Sequence, residues 1–385
     1  MKKGKSIAIA MMMMFALSGC VKTPDNLGQE SENAEVQNKE TDGLTFDTVE
    51  NILKNVKNIK EYQFDNLYYN QELEVNEPKE IGQMEFKQKD DFDEEGMQIL
   101  KKFIGELNPE VKIDTNFDIP GLQYIDTKNQ KSCSLGNEGF LYYATEEGDS
   151  WGMVVNDTSD EYVFSKQVCV ETPYEEENFE YNGKSVTLSE MVEAAQKHAD
   201  EFTEQYDSMQ WIPSSVKIYK NTVGEYFFQF QFTKSYKGMY MFYRDYRKCM
   251  DTVNEPYVCV MQPYLVMDSS KKLLVIDNYP GIIEYSETKK SYDEIITLEC
   301  ASQRLSEKLS SYKAYHVYDV NLEYRLVQTS GATVDDPTFY YSNWIAGNTY
   351  EARPCWTFYL SNDLEHMTFA MVDCITGEVE FVSGE

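Results

Sequence analysis

Apolar positions along the chain change period several times, and each change marks an element. Val49, Ile52, Leu53, Val56 and Ile59 recur at helical spacing behind Phe46-Asp47-Thr48. Met97, Leu100, Ile104 and Leu107 give a second stripe over about 92–107, with Asp91 as cap and Glu94 in capping-box register. The third pattern is the clearest. Thr187 and Glu190 form a capping box, Val186 and Met191 a hydrophobic staple, and Leu188, Met191, Val192, Ala195, Ala199, Phe202 and Tyr206 hold one face. A fourth helix is expected from Ser291, boxed by Glu294, with Ile295, Leu298, Leu305, Leu309 and Tyr312 on its face. Between the helices, alternation predicts strands at 62–69, 73–75, 80–87, 139–144, 151–156, 161–170, 216–220, 226–232, 257–262, a hairpin over 264–277, and strands at 314–327, 355–360, 367–373 and 378–382.

These elements repeat. Thr187 and Ser291 are 104 residues apart, and Asp268 and Asp373, each leading a hairpin turn, are 105 apart. A helix followed by strands, without βαβ alternation, argues for an α+β fold of tandem units, each one helix packed on an antiparallel sheet. The expected divisions are residues 45–172, 173–283 and 284–385. Val372-Asp373-Cys374-Ile375-Thr376-Gly377-Glu378-Val379 resembles the terminal V-D-x-x-T-G-x-V hairpin of PepSY-type domains, and Cys355-Trp356-Thr357-Phe358 the strand before it. The resemblance covers about residues 291–383 and faintly 187–277. It departs at a long insertion, Gln328–Glu351. It implies an extracytoplasmic inhibitory, chaperone-like or regulatory role without catalysis.

The N-terminus carries a different pattern. Met1-Lys2-Lys3-Gly4-Lys5 precedes an apolar run, Ser6–Leu17, too short to span a bilayer, which needs about 20 helical residues. The run closes on Leu17-Ser18-Gly19-Cys20, which resembles the lipobox of bacterial lipoproteins. That resemblance implies a signal peptide over residues 1–19, lipidation of Cys20 and a mature protein on the outer face of the cytoplasmic membrane. The whole chain resembles uncharacterised lipoproteins of low-GC Gram-positive bacteria. Residues 20–44 are rich in Asn, Gln, Glu, Asp and Thr, and this predicts a disordered tether.

Charge narrows the partners. The 385 residues carry a net charge of −31, and loss of Lys2, Lys3 and Lys5 with the signal leaves 32 basic against 66 acidic residues, or −34. This argues against nucleic acid. The cysteines other than Cys20 are odd in number and widely spaced, without zinc spacing, so several are expected to be small core residues. Cys355 and Cys374 are expected to be near neighbours on strands flanking Ser361–His366. His198, His316 and His366 sit in no catalytic motif. Asp91, Asp93, Glu95 and Gly96 nearly spell a calcium loop, but Lys102 stands where a bidentate Glu is needed, so no metal or cofactor is expected.

Two stretches stand out. Lys234–Lys248 interleaves bases with tyrosines, including Tyr236, Tyr240, Tyr243, Arg244 and Arg247. Such side chains stack on and pair with a partner, or neutralise nearby acids within the fold. The insertion Gln328–Glu351 concentrates aromatics, among them Tyr340, Tyr341 and Trp344. Large aromatics on a loop fold back onto the core or anchor a partner. The reading is a lipid-anchored, non-enzymatic protein that binds or regulates another envelope protein. The alternative is a ligand-binding lipoprotein for an anionic or carbohydrate-like molecule.

One outcome follows from the N-terminus alone. Cys20→Ala releases the chain from the membrane fraction or leaves it unprocessed, as fractionation and labelling with a lipid analogue will show. Labelling that survives the substitution rules the anchor out.

Overall fold

The structure is a computed structural model. It describes residues 43–56, 64, 66–69, 75–88, 121–126, 131–136, 141–145, 162–170, 174–242, 262–278, 283–309, 313–330, 349–360 and 368–382. The expected signal peptide and Cys20, the helix expected over 92–107 with its calcium-like acids, and the strands expected over 151–156 and, but for Gln262, over 257–262 lie outside these residues.

The elements in chain order begin with β1 (Phe46–Thr48), α1 (Val49–Asn55), β2 (Leu67–Tyr69) and β3 (Gly82–Gln88). Then come β4 (Gly121–Asp126), β5 (Lys131–Gly136), β6 (Leu141–Thr145) and β7 (Tyr162–Cys169). A small hairpin, β8 (Asn178–Tyr181) and β9 (Lys184–Thr187), leads into α2 (Leu188–Tyr206). After it run β10 (Gln210–Asn221), β11 (Tyr226–Tyr236), β12 (Met239–Met241), β13 (Tyr264–Asp268), β14 (Leu273–Asn278), β15 (Ile283–Ser291) and β16 (Glu294–Ile296). The chain closes with α3 (Leu298–Lys308), β17 (Tyr315–Val317), β18 (Asp319–Ser330), β19 (Thr349–Tyr359), β20 (Phe369–Asp373) and β21 (Val379–Val382).

Helix α2 starts where its capping box lies. Thr187 Oγ1 accepts from the Glu190 N–H, and a Glu190 carboxylate oxygen accepts from the Thr187 N–H. Helix α3 does not start at Ser291. Its cap is Thr297, whose Oγ1 accepts from the Cys300 N–H, and the preceding residues are strand. The reason is tertiary: Glu294–Ile296 pairs with β1, and Ile295 and Ile296 are buried as strand residues.

Tandem units, each a helix on its own sheet, are not what the chain forms. It is predominantly β, with three helices among the described residues and 15 strands joined in one sheet network. Both segments of the repeat do run as antiparallel meanders, β10-β11-β13-β14 and β18-β19-β20-β21. Of their edge strands, β21 has one neighbour among the described residues, and the other three are covered. An open edge is a row of unpaired backbone groups. Here β12 adds to β18 in parallel, β3 joins β19, and β6 joins β14, so the segments fuse edge to edge.

Strand alternation then sets two faces. Phe228, Phe230 and Phe232 turn to α2, while Leu322, Tyr324, Trp356, Phe358, Ala370 and Val372 turn to the core that holds α3. Both helices thus cover one face. The opposite face carries its own buried cluster, Phe242, Cys355, Tyr359, Phe369, Met371 and Val382.

Two residues make the fusion possible. Pro354 lies in β19 just after the stretch paired with β3 and just before the stretch paired with β20. Its carbonyl accepts from the Cys374 N–H, so its missing N–H faces the gap between those two strands and no ladder bond is lost. Asn76 clasps β18 to the β11–β12 turn: its amide donates to the Gly238 and Leu322 carbonyls at 2.7 and 2.8 Å and accepts from the Leu322 N–H. That turn is a two-residue hairpin with Lys237 at φ 51° and Gly238 at φ 89°. A Cβ at Gly238 would lie 2.5 Å from the Glu77 carbonyl oxygen. Gly238→Ala is therefore expected to cost about 2–3 kcal/mol from left-handed strain and backbone clash, read by urea denaturation. An unchanged midpoint would show that the turn does not hold β12 in place.

Candidate functional site

The stretch 234–248 enters the structure as the end of β11, the turn and β12. Lys234 is only 2 % exposed at its side chain and lies on the α2 side. There it meets Asp207, the C-cap of α2, at 3.4 Å. Asp207 also accepts from the Met209 N–H at 2.9 Å and from Trp211 Nε1 at 3.2 Å. Burial pushes the Asp207 carboxyl up and the Lys234 ammonium down, each opposed by the attraction of its partner.

Tyr236 is in the core, not on a docking surface. It stacks on Tyr285 with ring centres 5.0 Å apart and meets Phe86 edge-on at 5.4 Å. Strand parity explains this: Tyr236 follows Phe232 and Lys234 on the helix-bearing face. Tyr240, half-buried, lies on the other face. Tyr243, Arg244, Arg247, Tyr340, Tyr341 and Trp344 are outside the described residues, as is His366. His198 is half-buried, its Nε2 3.3 Å from the Lys271 carbonyl oxygen. His316 is exposed and packs on Tyr68.

Around Tyr240 the structure gathers Glu323, Arg325 and Tyr359, which the sequence did not single out, with Cys355 and Asp373, which it did. Register places Tyr240 beside Glu323, Glu323 opposite Cys355, and Cys355 opposite Asp373. Glu323 is 1 % exposed, and Tyr359 OH donates to its Oε1 at 2.6 Å. Arg325 reaches Glu380 of β21 at 2.6 Å although β19 and β20 lie between their strands. Phe242 meets Phe369 of β20 at 5.1 Å in the same way. Such contacts require the sheet to curl, with this face concave. The sequence signal was the run Asp319, Asn321, Glu323, Arg325 alternating with Val320, Leu322, Tyr324 and Leu326. It reads as a solvated face, and only the curl buries it.

The two cysteines here are not poised as nucleophiles. Cys355 and Cys374 are free thiols on successive register positions but opposite faces, which prevents a bridge. Burial pushes both well above the usual thiol range, and the neighbouring Asp373 charge adds to it. Among the described residues no group of three or more metal-type ligands occurs, and no helix is long and apolar enough to cross a membrane.

No family model and no curated protein matches the chain. Among solved structures it is similar to an uncharacterized protein from Eubacterium rectale ATCC 33656. Identity is 14 %, the TM-score is 0.53, and the match covers 86 % of this chain and 98 % of that one. At that identity the likeness shows a shared fold alone.

The Asp207–Lys234 pair yields a testable asymmetry. Lys234→Met strands a buried carboxylate and is expected to cost about 3–5 kcal/mol at neutral pH, whereas Asp207→Leu with Lys234→Met recovers most of it. The folded Asp207 carboxyl lies above its unfolded value, so stability drawn from its neutral form is present at low pH and lost as pH rises through the folded value. The cost of Lys234→Met therefore shrinks as pH falls. Denaturation curves against pH check both; a double variant no better than the single one refutes the pairing.

Proposed function

We propose that the protein is a lipid-anchored, extracytoplasmic, non-enzymatic component that binds or regulates another cell-envelope protein. The anchor rests on Leu17-Ser18-Gly19-Cys20 and the charged and apolar run before it. The binding role rests on one arrangement. Strand β12 runs parallel to β18, so at Phe242 the chain heads toward the end of β18. That same end, at Ser330, opens the connection 331–348. Phe242 lies level with Arg325, five residues before Ser330, so the two aromatic stretches leave the described fold along one strand, β18. Tyr243, Arg244 and Arg247 follow the first exit, and Tyr340, Tyr341 and Trp344 lie in the second connection. Tyr and Trp combine apolar area with a polar tip, the mixture enriched among interface hot spots.

The test is replacement of Val334–Asn348 by a short Gly/Ser linker in the membrane-anchored protein. It is followed by thermal melting and by crosslinked capture from intact cells. Unchanged stability with loss of the captured envelope protein supports the reading. Lost stability with capture intact overturns it.

A further inference from the structure

Among the described residues, strand β7 has one neighbour, β10. Just beyond β7 the Val170 N–H donates to the Ser214 carbonyl at 3.0 Å. Backbone donors alternate in direction along a strand, so the Gln167 N–H points away from β10. An edge of this kind accepts a further strand unless something blunts it. Strand β15, at one end of the same sheet, is blunted. It carries two bulges against β3, and Glu284, Glu287, Lys289 and Lys290 lie along it. Strand β7 has a single irregularity against β10 and one charge, Lys166, which Glu177 answers.

The side chains at this edge are unusual for the molecule. Val163 is 65 % exposed, Phe164 53 % and Val223 71 %. Register gathers them at one corner. Val163 lies opposite Lys220, and Phe164 opposite Tyr219 with ring centres 5.6 Å apart. Tyr162 lies opposite Asn221, two residues before Val223. Only one other large apolar side chain, Tyr68, is exposed among the described residues, so these three form a patch and not a scatter.

Charge bears on what covers the patch. The chain holds 66 acids against 35 bases, yet neither β7 nor β10 contains an acid. Together they carry Lys166, Lys217 and Lys220, with Lys217 opposite Gln167. A second copy would set these lysines against their own kind and bring two strongly acidic bodies together, which opposes self-pairing. A strand bearing carboxylates meets opposite charge here.

We propose that the β7 edge is a docking site for an extended segment of another protein, one that carries Asp or Glu among apolar side chains. The segment adds to the sheet as a strand, with its backbone paired to β7. Its apolar side chains cover Val163, Phe164 and Val223, and its carboxylates meet Lys217 and Lys220. The inference goes beyond the aromatic stretches and the anchor. It rests on β7 and β10 alone and holds whatever those stretches bind.

The test is a pooled library of random peptides of the length of β7, eight residues, panned against the full chain in detergent. The strongest binder is then titrated by fluorescence anisotropy. Enriched peptides are expected to carry Asp or Glu with apolar residues. Gln167→Pro removes the outward donor and leaves the ladder to β10, and it is expected to weaken binding tenfold or more. Phe164→Ser is expected to do the same, and the exposed control Lys184→Ala on β9 to do nothing. Lys217→Glu is expected to turn the preference toward Lys-bearing peptides. A melting curve establishes that each variant folds, and Phe164→Ser and Lys217→Glu carry the test if Gln167→Pro does not. No enriched peptide, or enrichment of basic or uncharged ones, overturns the proposal. So does binding that Phe164→Ser or Lys217→Glu leaves unchanged. A dimer in sedimentation that Phe164→Ser dissolves also overturns it, since the occupant is then a second copy.

Discussion

Strand β19 has more backbone to satisfy than one neighbour can supply, and the rest of the sheet is arranged by how it does so. One edge pairs with β18 along its whole length. The other is divided, with β3 on the first part and β20 on the second. Pro354 makes the division cheap, because the residue without an N–H sits where one neighbour has ended and the next begins. The sheet branches there. One branch carries β20 and β21 around toward β12 and creates the concave face. The other carries β3 and β15 and extends the surface under α1 and α3.

The sequence made the local part of this legible. The Thr187–Glu190 box, the apolar stripe of α2, the Phe228–Phe232 alternation and the two Asp-led turns were all readable, because each is decided by a few adjacent residues. The turns even share a conformational slot: Lys271 at φ 67° and Gly377 at φ 66° both take the left-handed form that closes them. What was not legible is pairing between distant segments. The Ser291–Glu294 box competes with Thr297, and only the presence of β1 decides for strand over Glu294–Ile296. Tyr236 carries no local mark that separates it from Tyr240, since one position along a strand decides which face each takes. The polar alternation of β18 has the form of a solvated face, and the burial of Glu323 depends on a curl set by strands far along the chain.

Polar groups are buried on both sides of the sheet, in two different ways. On the helix-bearing side, Asp207 and Lys234 answer each other, with Trp211 and Met209 completing the carboxylate. Burial opposes both charges there, so the pair fixes how the end of α2 meets β11 more than it adds to stability. On the concave side the hydroxyls of Thr233, Ser235 and Thr357 are not answered from within the fold.

The partners of the first strands have a consequence in time. Phe46–Thr48 pairs with Glu294–Ile296, Leu67–Tyr69 with Tyr315–Val317, and Gly82–Gln88 with both Ile283–Ser291 and Thr349–Ala352. A chain made from its N-terminus holds these strands with nothing to pair to until its last third exists. Contacts so far apart in sequence fold slowly, since the closing entropy comes before the reward. These first strands thus stay unpaired while the hairpins between them and the last third form from neighbouring segments. The core closes only after residues 283–352 arrive, and any truncation before them leaves the earliest-made strands exposed to other chains.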